Sequence, residues 1–566
     1  MGLINGSLQI GRSALMTQQS MMQIIGNNIA NAGNPDYTRQ TGRLAPVHGS
    51  QLPEGFDPGA GVRLVGLKRH IDNSIEQRLR EAISDNNYDD LTSQVLSRLE
   101  TLYNEMTDND VSSGLSEFFN VFSELQSKPQ DIAARSVTVQ TGQALVEQIQ
   151  TLRYDIVNVY NDLHTKMEDT VEQINRITSQ IAQINGQIAQ TTSAGGNAGA
   201  LLDERDKQLR DLSELVNVHS IEQESGIVTV FIGSDPIVQN NEARELEIEK
   251  ETSDNNLILP KVVFSDTGKE IQAFSGTTGA VVDLINDFVG GNIEELDNLA
   301  SSLIFEVNKI HSSGQGLHGY QSITSTYAVE DANAELDNAG LTFTPQNGTF
   351  LVNVKDLNTG QISTHQINVD LNGIGSDMSL NDVIAQIDAI DNVSASVLGD
   401  GRVEIKTDSD NYEITFSDDT SYFLASMGIN NFFVGKNAFD IDVRSDIVDD
   451  PQLIAAAKDN LPGDGSNAGD IAQLRTSGVD SLDGLSISDK YRSIVSDLAT
   501  KTAGARQRQE VHQAIVDTLT AQRESVSGVS IDEETVNLLS TQRAFQGAAR
   551  FVSAVDEMIQ EILGLF

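Results

Sequence analysis

The chain of 566 residues contains no cysteine. That excludes disulfides, thiolate metal sites and a cysteine nucleophile, and it suits a protein that must unfold and refold without redox help. Basic residues are scarce: 37 Lys and Arg stand against 82 Asp and Glu, for a net charge of −45. A surface of that sign repels nucleic acid. No apolar run approaches the ~18 residues that span a bilayer, so membrane insertion is not expected. No cluster of Lys or Arg leads into an apolar block near the start, so a cleavable secretory signal is not expected either. Acid is itself missing from one place. The first acidic residue is Asp36, and Arg12 is the only charge before it. Residues 321–450, by contrast, hold 22 acids and 5 bases. Excess like charge collects where solvent screens it, whereas a surface that must pack stays nearly neutral.

The two ends of the chain share a pattern that the middle lacks. Leu8, Leu15, Met22 and Ile29 recur every seven residues, as do Leu538, Phe545, Val552, Ile559 and Phe566. Val555 and Ile562 extend a second apolar row beside the latter. Each end reads as a helix with one narrow apolar seam, the pattern of helices that associate along their length. Such helices bury too little on their own to offset the entropy of ordering them. These residues are therefore expected to form a subunit-packing seam.

Between the ends, helix and strand signals alternate in blocks. Residues 3–32 read as one helix, stopped by Asn31 and Gly33 with Pro35 beyond. Residues 34–70 look extended or looped, with a strand at 62–67. Residues 72–190 are helix-rich: Leu145, Ile149, Leu152, Ile156 and Tyr160 keep helical spacing, and Ile174, Ile177, Ile181, Ile184 and Ile188 form a second stripe. A further helix follows at 201–216, strands fill 217–275, and helix returns at 281–312. Residues 341–445 mix short strands with one helix opened by Ser379. Asp400-Gly401 marks a hairpin turn. Residues 486–527 and 531–563 are helical again. The fold class is thus α+β multidomain, with a terminal coiled-coil domain, a long-helix rod domain and strand-rich inserted outer domains. The expected division is 1–38 with 531–566 as a terminal-helix core; 39–216 with 280–325 and 441–530 as the helical rod; 217–279 as a small strand-rich domain; and 326–440 as a strand-rich outer domain with one helix.

Motifs for chemistry are wanting. Of eight histidines, only His311 and His318 lie close, in HSSGQGLH, which is not a zinc-ligand spacing. DSDNYE (408–413) lacks the glycine and terminal glutamate of a calcium loop and reads as a surface turn. GGNAG (195–199) has no Lys-Ser/Thr after it and no strand before it, so it reads as an inter-helix loop. No G-x-S-x-G is present. No catalytic residue, cofactor or metal is expected. Tyr412, Phe416, Tyr422, Phe423, Phe432 and Phe433 would form either a solvent-facing binding platform or the core of a small strand-rich domain; alternation with polar residues favours the core.

Two segments carry a resemblance. NNIANAGNPDYTRQ (27–40) and QRAFQGAARFVSAVDEMIQEIL (542–563) resemble the N- and C-terminal signatures of bacterial flagellar axial proteins, that is rod, hook and hook-associated proteins. The matching positions include Asn27, Asn28, Asn31, Tyr37, Arg39, Gln542, Arg543 and Phe545. The family usually has Gly before the Tyr, where this chain has Asp36, which puts the strain-free turn in question. Segments 115–149, 181–218, 417–443 and 450–457 resemble the family of first hook–filament junction proteins, which rod and hook proteins do not match over 115–218.

The resemblance implies a non-catalytic structural adaptor, exported through the flagellar type III channel and forming a ring between hook and filament. The partners it implies are the chain itself, the hook protein, a second hook-associated junction protein and an export chaperone. The location it implies is the extracellular flagellum. The alternatives are a long hook protein, or a secreted adhesin using the outer domain.

Overall fold

The computed structural model describes residues 2–48, 59–103, 110–223, 226–252, 257–271, 275–458, 461 and 463–564, with the side chains of 2–5, 562 and 563 outside that description. In chain order, α1 (Gly2–Ala30) leads into an antiparallel hairpin of β1 (Gln40–Pro46) and β2 (Val62–Arg69). Four helices follow: α2 (Asn73–Tyr103), α3 (Val111–Ser127), α4 (Ile132–Ser193) and α5 (Gly199–Leu215). A four-stranded antiparallel sheet comprises β3 (Val218–Glu222), β4 (Val228–Ile232), β5 (Asp235–Gln239) and β6 (Glu242–Ala243), in that order. The ribbon β7 (Leu246–Thr252) with β8 (Ile258–Phe264) follows. Then come α6 (Gly276–Asp283), a π turn at Leu284–Val289, and α7 (Gly290–Ser312).

The acidic segment contains β9 (Ser322–Thr324), β10 (Gly348–Asp356), β11 (Ile362–Val369), α8 (Leu380–Asp388), β12 (Val393–Val397), β13 (Val403–Thr407) and β14 (Tyr412–Ser417). Its two sheets have the orders β11-β10-β14 and β12-β13-β9. Short helices α9 (Phe423–Met427), α10 (Ser445–Asp449) and α11 (Ser466–Gln473) precede the long α12 (Ile487–Ser527) and α13 (Ile531–Gly564).

The chain divides into two compact units. One comprises Met1–Gln94, Leu163–Ile285 and Gly504–Phe566; the other comprises Val95–Asp162 and Asn286–Ala503. In the first, the predicted isoleucine stripe of α4 is buried from Ile174 to Ile188. Ile184 and Ile188 pack with Ala198, Leu201 and Leu202. Two asparagines fasten the strands to this helix. Asn175 exchanges both hydrogen bonds with the Leu246 backbone at 2.8 Å, and Asn185 donates to the Val228 and Asn240 carbonyls at 2.8 Å. Each amide satisfies backbone groups that a helix-facing strand edge would otherwise leave bare.

In the second unit, the core is aromatic. Phe118 and Phe122 of α3 meet Phe432 at 5.7 and 5.5 Å between ring centroids, and Phe118 meets Phe433 at 5.3 Å. Asn308 of α7 holds that turn by accepting from the Phe432 and Phe433 N–H groups. His311 is wholly buried: its Nδ1 donates to the Asn430 carbonyl at 2.7 Å and its Nε2 accepts from Ala455 N at 3.0 Å. Burial lowers its pKa to about 4, so the ring is neutral. Arg135, 1% exposed, donates to the carbonyls of Pro129, Gln452 and Ile454 at 2.8, 3.2 and 2.7 Å. Local sequence rules hold here too. Ser379 and Asp382 form a reciprocal capping box at α8. Gly401 takes φ +83° in the β12–β13 turn, where the Val329 carbonyl leaves no room for a Cβ.

Candidate functional site

The two terminal helices meet each other. Gly11 of α1 lies against Val552 and Phe551 of α13, and Asn28 of α1 lies against Glu534, so the pair is antiparallel. A Cβ on Gly11 would sit 2.5 Å from Val552 Cγ2, so the two helices approach closely here and leave no room for a side chain. Leu8, Leu15, Met22 and Ile29 are half-buried, as are Leu538, Phe545, Val552 and Ile559, and Val555 is buried. Ile562 belongs to α13, but its side chain falls outside the described residues, as does Phe566 altogether. The β1–β2 hairpin covers a second face of α1. Thr17 Oγ1 donates to the Val62 carbonyl, and Met21 and Ile24 close over Gly42. Among the described side chains of α1, the apolar Ile24 and Ile25, outside the seven-residue rows, are buried.

A polar clamp locks the open end of the pair. Asn28 Nδ2 donates to Gln40 O at 2.9 Å and to Glu534 Oε2 at 3.0 Å. Its Oδ1 accepts from Tyr37 Oη at 2.8 Å and from Gln40 N at 3.1 Å. Arg39 reaches Glu534 through Nε and Nη2, at 3.0 and 2.8 Å, and Glu533 through Nη1 at 3.0 Å. Burial raises the Tyr37 pKa, and the Asp203 and Glu534 charges add to it, so the phenol stays a donor. Every polar atom of Asn28 is thus used, and a half-satisfied cluster here would be costly.

Below the clamp lies a second charged cluster. Arg69 Nη2 contacts Asp203 and Asp206 at 2.6 and 2.7 Å, and Arg205 also binds Asp206 at 2.7 Å. Burial works against the Asp206 charge, but the two guanidiniums outweigh it and hold its pKa low. Glu76 binds Arg523 at 2.7 Å and Arg210 at 3.2 Å, and Arg210 reaches Asp36 at 2.7 Å. Asp36 therefore has a partner of its own. It is absent from the residues with positive φ, so the turn accepts it without left-handed strain.

Of the signature positions, Asn28, Tyr37 and Arg39 converge on one point. Asn31 Nδ2 caps the end of α1 on the Asn27 carbonyl at 2.9 Å. Asn27, Gln542 and Arg543 are exposed. Sequence reasoning missed Gln40, Gly11 and Glu534; the last sits in an acidic first turn, Asp532 to Glu534, that reads as ordinary helix N-terminal charge. Phe416, Phe423, Phe432 and Phe433 are fully buried, so these rings form core and not a platform. His318 binds Asp450 at 2.8 Å, away from the His311 ring, whose two nitrogens engage backbone. Among the described residues no group of three metal-ligating side chains assembles, and no helix is long and apolar enough to cross a membrane.

Residues 96–324 match the family model of the flagellar hook-associated protein FlgK helical domain. Residues 8–35 match that of the flagella basal body rod protein, and 514–565 that of the flagellar basal body rod FlgEFG protein C-terminal segment. Flagellar hook-associated protein 1 of Escherichia coli (strain K12) is 25% identical over 575 residues, covering 100% of this chain and 99% of that one. The protein of the same description from Bacillus subtilis (strain 168) is 23% identical, covering 98% and 97%. In fold, the chain is similar to the flagellar hook junction protein FlgK from Burkholderia pseudomallei, with TM-score 0.52 at 14% identity, over 80% of this chain and 100% of that one. The terminal signatures, the helical segment and the end-to-end likeness converge: the chain is similar over its whole length to flagellar hook-associated protein 1, with segments that match models of flagellar axial proteins.

Proposed function

We propose that this chain is the non-catalytic adaptor that forms the junction ring between flagellar hook and filament. Its coarser role, a structural flagellar component, is supported by the likeness to flagellar axial proteins. The observation that carries the finer reading is the antiparallel α1–α13 pair: two terminal helices, clamped by Asn28 and Glu534, that keep a half-buried seam and exposed apolar side chains in the single chain. Those surfaces are completed when neighbouring subunits pack around a common axis. The seam of Leu8, Leu15, Met22, Ile29, Leu538, Phe545, Val552, Val555, Ile559, Ile562 and Phe566 is the inner packing surface in this reading.

The same reading includes export through the flagellar type III channel, a chaperone holding the C-terminal seam before export, and the hook protein and second junction protein as axial neighbours. The mature location is the extracellular flagellum. The four-part domain division, with 326–440 as an acidic outer domain, belongs to this proposal. The experiment is to label the protein in intact flagella. One discrete band at the distal end of the hook is the expected result; label along the whole hook, or none on the flagellum, would overturn it.

A further inference from the structure

Beside the charged cluster lies a cation that no carboxylate of the described residues pairs. Arg80, two turns into α2, is 7% exposed. Its Nε has no hydrogen-bond partner, and its Nη2 reaches only Ser220 Oγ, at 3.4 Å. A contact that long is a weak hydrogen bond. The side chain lines a cavity of about 100 Å³ walled by residues of α2, α5 and β3. One water needs only about 10–15 Å³, so the cavity holds more than a single solvent molecule.

The acids around Arg80 are committed elsewhere. Glu76 Oε1 accepts from Arg523 Nε at 2.7 Å, and its Oε2 accepts from Arg210 Nη1 at 3.2 Å. Asp206 Oδ1 accepts from Arg205 Nε and Nη2 at 3.0 and 2.7 Å, and its Oδ2 accepts from Arg69 at 2.7 Å. Glu222 also faces the cavity, but its side chain is 39% exposed and stands 3.5 Å from Arg205. Solvent screens such a rim charge far more than a buried one. Arg69, Arg80, Arg205, Arg210 and Arg523 thus gather around the buried carboxylates Glu76, Asp203 and Asp206 alone, with Asp36 and Glu222 at the rim. Burial lowers the Arg80 pKa even against the pull of the Glu76 and Asp206 charges. Water in the cavity would fill the open hydrogen bonds and leave the charge unbalanced. An anion does both, because it accepts from the guanidinium and carries the opposite charge. Ser220 and Asn73 add a hydroxyl and an amide to the same wall.

We propose that this cavity binds a small inorganic anion, of the size of chloride, against the Arg80 guanidinium. The ion ties β3 to α2 and α5 and completes the charge balance of the cluster. A chain of net charge −45 thereby keeps one specific place for an anion, where its own acids fall short. All the groups involved lie in one compact unit, so the site does not depend on assembly or on the proposed junction role.

The probe is chloride, exchanged for gluconate at constant ionic strength. Gluconate is too large for the cavity, so the exchange separates occupancy from screening. The melting temperature of the purified full chain should rise with chloride and level off, by about 2–4 °C at saturation. Arg80→Met keeps much of the side-chain length and removes the charge, and its melting temperature should not respond to the exchange. Bromide gives an answer that needs no variant. Crystals of the wild-type chain soaked in bromide should show an anomalous-scattering peak within hydrogen-bond distance of Arg80. The proposal is overturned by wild-type melting that ignores the exchange, by the same response in Arg80→Met, or by a cavity that holds water alone in bromide.

Discussion

Asn28 Nδ2 donates to Glu534 Oε2 across 3.0 Å, and these residues stand 506 positions apart in the chain. The bond is buried, and Tyr37, Arg39 and Gln40 converge on the same two side chains. The two ends of a long chain are therefore joined by a specific polar contact as well as by an apolar seam.

Removing Glu534 leaves Asn28 short of an acceptor and strips Arg39 of its inner partner. Breaking one side of a buried charged contact costs roughly 3–5 kcal/mol. Glu534→Ala should therefore release the terminal pair, seen as fast amide hydrogen exchange in α1 and α13 with the β3–β8 strands still protected. Unchanged protection of both helices would show that the seam alone holds them.

Gly11 lies tight against α13, so any side chain there must displace Val552. Gly11→Val should lower the stability of the terminal pair by about 1–3 kcal/mol, the usual range for overpacking. Adding Val552→Ala should restore part of that loss. Equal melting of Gly11→Val and wild type by helix-selective circular dichroism would contradict the packing described.

His311 supplies a pH dependence. Its folded pKa of about 4 lies below its ordinary 6.5 because burial opposes the charge, with Arg135 and Arg444 adding to the effect and the hydrogen bond to Asn430 opposing it. The unfolded chain takes up the proton first. The stabilisation is thus complete above about pH 6.5 and is lost as pH falls toward 4, amounting to roughly 3 kcal/mol over that window. Urea unfolding at intervals from pH 7.5 to 4 should show this fall. His311→Gln should be less stable at neutral pH and show a shallower acid decline; a parallel decline in both proteins would place the effect elsewhere.

Arg135 is a buried cation that meets backbone carbonyls in place of a carboxylate, and burial lowers its pKa to about 10. Hydrogen bonds from a charged donor contribute about 1.5–3 kcal/mol each. Arg135→Met should therefore destabilise the unit containing α3 and α7 by at least ~3 kcal/mol, while leaving the α1–α13 pair intact. Selective early exchange of the 451–457 amides would report it; uniform exchange across both units would not fit.

Much of this architecture was legible in sequence because it rests on periodicity. The isoleucines 174–188 and the run Leu145 to Tyr160 are buried as their spacing demands. Ser379 caps α8, Asp400-Gly401 turns a hairpin, and α1, α12 and α13 end within a few residues of the expected limits. The 34–70 segment was harder. β1 and β2 pair across residues that include Gly42, Pro46 and Gly66, where strand propensity is poor and tertiary contact with α1 decides. The clamp was half legible. Asn28, Tyr37 and Arg39 stand in a signature, but Glu534 is joined to them only by the fold, as are Asp206 to Arg69 and Glu76 to Arg523. Pairings over hundreds of residues leave no periodic trace.

The central claim is that the terminal helices build the assembly, and Val555 and Ile559 test it most directly. Val555 is 1% exposed and Ile559 half-buried. Val555→Asp with Ile559→Asp places two carboxylates where apolar side chains meet, at a penalty of several kcal/mol repeated in every subunit. The variant is expressed in cells lacking the wild-type protein, and filaments are counted in cultures whose medium contains the secreted variant. The account predicts secreted protein with folded central units and bald cells. Normal filaments on those cells would contradict it.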